Sequence, residues 1–108
     1  VSQPKKDHLL EELRAQILIA PHPDLEPHLL RGALIMLADE LDLAVTAAQI
    51  ARNDQGAISI LIEAGKLTRP DPKDLDVWRA EKAFFRFVIV QPFVLAQRFR
   101  PEEVTAEA

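Results

Sequence analysis

The sequence predicts an all-α fold, a small bundle-like domain of four to five helices, on three observations. Alanine, leucine, glutamate and arginine dominate the composition, and all are helix formers. Three glycines and no tyrosine are few turn formers and few β-favouring aromatics for 108 residues. Leu30, Leu34, Leu37, Leu41, Ala44, Ala48 and Ala51 follow the alternating four-three spacing of a helical seam. The length suits one domain over 1–108, with fraying expected at 1–4 and 102–108.

The first helix is expected from about Lys5 to Ile19, where Leu9, Leu13 and Ile17 recur on one face and Glu11, Glu12 and Arg14 stay wet. Pro21-His22-Pro23 stops it. Asp24 or Glu26 then caps the next helix, with Pro27 in its first turn. That second helix, about 27–53, is the long central element. Beside its main seam, Leu29, Met36, Leu43 and Ile50 repeat every seven residues on an adjacent face. A helix with two apolar faces needs two neighbours, so it lies at the centre of a bundle or binds a second chain. A break near Leu43–Thr46, with Thr46 as cap, would divide it into two helices.

Asn53-Asp54-Gln55-Gly56 reads as a turn into a short helix ending at Ala64, with Ala57, Ile58, Leu61 and Ile62 toward the core and Gly65 as a left-handed cap. Leu67 to Asp71 reads as a loop. Asp71-Pro72 then opens the last helix, which is expected to reach Val90, to kink at Pro92 and to end at Pro101. The run Phe87-Val88-Ile89-Val90 suits a strand equally well, but no partner strand is evident, so it is assigned to the helix.

All six aromatic residues lie from Trp78 onward. Helical spacing puts Trp78, Phe85 and Pro92 on one line, while Phe84, Phe87 and Phe93 point elsewhere, more than one small core absorbs. Two apolar surpluses therefore indicate protein–protein association, including a homodimer, through Leu29, Met36, Leu43, Ile50, Phe84, Phe87 and Phe93.

Charge is unevenly spread within a net −4. From Arg79 to Arg100 there are five bases against one acid, whereas Asp7 to Glu63 holds ten acids against three bases. Attraction between the halves explains this simply. The functional alternative is an anionic or nucleic-acid contact at Arg79, Lys82 and Arg86. Residues 44–67 resemble a degenerate helix-turn-helix, but the second helix has no arginine or lysine for phosphate. A third alternative is a small-molecule sensor with an aromatic pocket near Trp78.

Catalytic chemistry has little foundation. There is no cysteine, no Gly-x-Ser-x-Gly and no glycine-rich phosphate loop, so neither an enzyme nor a cofactor is expected. His22, Asp24, Glu26 and His28 are metal-ligand types in a proline-rich loop, but solvation explains them without an ion, and no metal is expected. The polar Val1–Asp7 is followed by no apolar leader, and Ala83–Ala96 is too short to span a bilayer, so the expected location is cytoplasmic.

Overall fold

The computed structural model describes residues 4–99, with side chains from His8 onward, and the fold is not all-α. Five helices, α1 (Pro4–Gln16), α2 (Glu26–Leu30), α3 (Leu43–Ala51), α4 (Gln55–Glu63) and α5 (Pro72–Glu81), flank a five-stranded sheet. Its strands are β1 (Leu18–Pro21), β2 (Leu34–Leu37), β3 (Leu67–Thr68), β4 (Phe84–Val90) and β5 (Phe93–Phe99), in the order β1-β4-β5-β2-β3. β2 and β5 run parallel, and every other neighbouring pair is antiparallel. The fraying expected at 1–4 and 102–108 lies outside the described residues, except that Pro4 opens α1.

Two stretches account for the difference. The expected central helix over 27–53 is in fact α2, β2 and α3. Gly32, at φ +77, turns the chain out of α2. The four apolar residues that follow, Leu34-Ile35-Met36-Leu37, enter the sheet, where apolar neighbours on both faces suit an unbroken apolar run. Asp42, rather than Thr46, caps α3 by accepting the Val45 N–H at 3.1 Å. The expected last helix stops at Glu81, and the aromatic run beyond it is a hairpin. Gln91 and Pro92 form its two-residue turn, so β4 finds its partner strand immediately downstream.

Strand alternation sorts the core into two layers. On one face Phe85, Val94, Ala96 and Leu34 meet Leu25, Leu29, Leu75 and Trp78 from the α2 and α5 side. On the other, Val88, Leu95, Leu37 and Leu67 meet Leu13, Leu43, Ala47 and Ala48 from α1 and α3. Trp78 packs edge-on against Phe85, with ring centroids 4.7 Å apart. Gln97, buried on the α3 face, donates to the carbonyls of Ala38 and Leu41 at 2.9 and 2.6 Å. It satisfies the turn between β2 and α3 and fixes where α3 begins.

Local chemistry matches expectation at the start of α5 and the end of α4, but not at the start of α2, where Leu25 holds the cap position without a side-chain bond and neither Asp24 nor Glu26 caps the helix. Asp71 and Asp74 form a capping box at the start of α5, with a proline in the first turn. α4 closes with Gly65 at φ +75, the Lys66 N–H donating to Leu61 at 2.8 Å and the Gly65 N–H to Ile62 at 3.0 Å. The same paired bonds close α3 through Asn53, at φ +58, and Asp54. α1 is shorter than expected because Leu18–Pro21 leaves it to pair with β4.

The register predicts opposite outcomes for two adjacent phenylalanines. Phe85→Ala should cost about 3–5 kcal/mol in urea unfolding, since that ring is wholly buried. Phe84→Ala, at a ring 38% exposed, should cost about 1 kcal/mol or less. Equal costs would contradict the strand assignment.

Candidate functional site

The candidate site is an apolar cavity of about 470 Å³ where α3 and α4 meet the β5-β2-β3 part of the sheet. Its geometry follows from a three-residue reversal. Asn53 takes the left-handed conformation that ends α3, and Asp54 then caps α4 by accepting the Ala57 N–H at 3.2 Å. The reversal leaves α4 beside α3 and β3, at the margin of the sheet. This helix buries none of its residues, and Ile60 and Ile62 are 68% and 56% exposed.

Ile50 from α3 and Ile58 and Ile62 from α4 face Ile35, Leu67 and Phe93 from the sheet across this gap. Asn53, Thr68 and Arg69 complete the lining with polar groups. Arg69 donates from Nη1 to the Gly32 carbonyl at 3.0 Å, and its guanidinium carbon lies 5.8 Å from the centre of the Phe93 ring. A concave apolar surface with a few fixed polar groups is the usual form of a small-molecule site, and this volume lies in the usual range.

A second, polar cleft of about 440 Å³ lies between α1, the turn before α3 and the β4–β5 strands. Arg14 and Asp42 pair across it at 3.4 Å, with Arg86 and Gln97 also in its wall. Asp42 is held below the ordinary aspartate range, chiefly by the Val45 N–H that it caps and further by Arg14. Glu26 is likewise held low by its hydrogen bonds to Arg79, at 3.2 Å, and to His22, at 3.0 Å. Both shifts take these carboxylates away from the range in which a general acid or base works at neutral pH. Their bonds are structural.

The residues singled out from sequence divide among several environments. Leu29 and Leu43 are core residues of the monomer, so they form no interface. Ile50 and Phe93 line the apolar cavity. Met36 and Phe87 lie on the opposite sheet face, separated by Ala96 in the register, and are half-buried. Phe84 stands apart beside Phe99 and Pro21.

Arg79 and Lys82 belong to α5, Lys82 closing it at φ +53, whereas Arg86 is on the other sheet face and stacks on Phe99 at 5.8 Å. The three bases do not converge. Arg79 is moreover paired with Glu26 and, at 3.6 Å, with Asp76.

The loop acids and histidines disperse in the same way. Arg79 and His22 occupy Glu26, and the His28 ring accepts from Arg31 at 2.8 Å. Among the described residues no three such side chains gather as a metal site would need.

Trp78 is buried in the α2–α5 layer, across the sheet from the cavity. Residues 44–67 do contain two consecutive helices, but α4 carries no lysine or arginine.

Sequence reasoning passed over Ile35, Asn53, Ile58, Ile62, Leu67, Thr68 and Arg69 as a site. The available signal was α4 itself. Ile58, Ile60, Leu61 and Ile62 put large apolar groups around most of a nine-residue helix, more than one contact face can use.

The model of the family described as "Protein of unknown function (DUF2288)" matches residues 8–98. The chain belongs to that family. The NMR solution structure of PA1075 from Pseudomonas aeruginosa is similar to this family member, with a TM-score of 0.75 and 21% identity over 93% of each chain. That likeness concerns the fold, and it agrees with a mixed α/β domain rather than a helical bundle. No curated protein matches the chain. Among the described residues, no helix is long and apolar enough to cross a membrane.

The Asp42 cap makes a prediction about acid. Its folded value is lowered, so its stabilisation is fully present above the unfolded value of about 3.9 and is lost as the pH falls through the folded one. Asp42→Ala should cost about 1 kcal/mol at pH 7. In urea unfolding, the gap between wild type and variant should narrow below about pH 4.

Proposed function

We propose that this chain is a non-catalytic binding protein that holds a small apolar molecule in the cavity between α3, α4 and the sheet. The carrying observation is that six large apolar side chains from α3, α4, β2, β3 and β5 line one recess of about 470 Å³. A helix that buries nothing of its own forms one wall, which favours an occupant, because a ligand would cover Ile62 and supply α4 with packing it lacks. The setting is taken to be cytoplasmic. A neutral fluorescent probe, N-phenylnaphthylamine, should bind with a blue-shifted, enhanced emission. Ile58→Trp, which fills the recess, and Ile62→Glu, which charges its lip, should each weaken that binding at least several-fold while the circular dichroism stays native. Absence of probe binding by the wild type, or unchanged binding by both folded variants, would count against the cavity as a site.

Self-association is a second reading, favoured by one specific observation. β1 is an edge strand, and its Leu18 and Ile19 are 59% and 55% exposed on opposite faces. Leu18 adjoins Phe87 in the register, and Ile89, two residues along the same strand face, is 46% exposed. An isologous contact would use this corner twice. Light scattering should then give about twice 12.1 kDa for the wild type and a single-chain mass for Leu18→Glu. A wild type that is monomeric at high concentration would exclude it.

A further inference from the structure

We propose that the molecule held in the cavity is an apolar monocarboxylate, with Arg69 as the anchor for its anionic end. The inference rests on the binding function proposed above and adds the chemistry of the ligand.

The placement of Arg69 comes first. It follows β3 directly and precedes Pro70, and Pro72 opens α5 two residues later, so the segment carrying it is short and stiff. Two contacts hold the side chain. Nη1 donates to the Gly32 carbonyl, and the cation lies over Phe93, itself a wall of the cavity. A positive charge is thereby fixed where the apolar lining meets solvent, with little left to immobilise when an anion arrives.

Its partners come second. Arg14, Arg79 and Arg98 each face a carboxylate, respectively Asp42, Glu26 and Glu81. No carboxylate pairs with Arg69 among the described residues. One of its five N–H donors is engaged with Gly32, which leaves a carboxylate two parallel hydrogen bonds to form.

The remaining lining sets the ligand's charge and body. Asn53 and Thr68 are neutral hydrogen-bonding groups, and among the described residues no acidic side chain lines the cavity. With Arg69 as the only charge among the described lining residues, a single negative charge is matched, whereas a phosphate dianion would lack a second cation. The isoleucines and Phe93 require the rest of the ligand to be apolar.

Displacement of N-phenylnaphthylamine by decanoate and by decanol, matched in chain length, tests this. Decanoate should displace the probe at about a tenfold lower concentration than decanol. Arg69→Met should abolish that preference by weakening displacement by decanoate far more than displacement by decanol, and Arg69→Lys, which keeps the charge but loses the fork, should keep only part of it. Equal displacement by the two compounds in the wild type would overturn the carboxylate while leaving an apolar site in place. A preference that survives in Arg69→Met would remove Arg69 as its cause. If the probe binds but neither compound displaces it, this ligand class is wrong. If the probe does not bind at all, the cavity reading fails as well.

Discussion

The parallel pairing of β2 with β5 is the constraint on which the rest of this structure depends. Leu34, Ile35 and Met36 align with Val94, Leu95 and Ala96, joining segments about sixty positions apart in the chain. The pairing places β5 between two strands, with Leu95 and Ala96 wholly buried, one on each face. It also forbids a continuous helix through the second quarter of the chain. Gly32 and the turn held by Gln97 then become the points at which helix gives way to strand and strand to helix. A sheet with apolar groups on both faces needs two helical layers, and the five helices divide accordingly.

That division leaves one helix short of a role. α1 and α3 supply the buried helical residues of their face, and the β3 margin is left to α4, which follows α3 after the tight reversal at Asn53 and Asp54 and buries none of its own residues. A gap bounded by isoleucines is the consequence. The same reversal sets a left-handed asparagine at the cavity edge, and the left-handed Gly32 supplies the carbonyl that steadies Arg69. The cavity and the placing of Arg69 thus come from the geometry of helix ends, not from any contiguous motif.

The ion pairs elsewhere act to hold this arrangement. Glu26 draws His22 and Arg79 together and so ties the chain before α2 to α5. Lys66 pairs with Glu40 beside β3, and Arg98 reaches Glu81 while lying over Phe85. The excess of bases near the C-terminus that sequence alone could assign to an anionic partner is in part spent on these contacts. The more exposed of these pairs, such as Lys66 with Glu40, contribute little energy each, and their consistency with the fold matters more than their strength.

Several features were determined by the sequence alone. The caps at Asp71-Pro72 and Gly65 and the start of α4 near Gln55 are local effects of proline, glycine and aspartate, which act through the backbone of their immediate neighbours. α1, by contrast, ends at Gln16, before the prolines expected to stop it, because Leu18–Pro21 pairs with β4. The fold class was decided by tertiary structure. Leu34–Leu37 and Phe84–Val90 are apolar on both sides, so their spacing fits a helix seam and a buried strand alike, and only long-range pairing separates the two. The site was decided there too. Ile50 and Phe93 drew notice as apolar surplus, but Ile35, Ile62 and Arg69 carry no shared spacing, and three separate segments meet only after the sheet has formed. Backbone preferences act over a few residues, whereas strand pairing and cavity walls depend on which distant surfaces exclude water together.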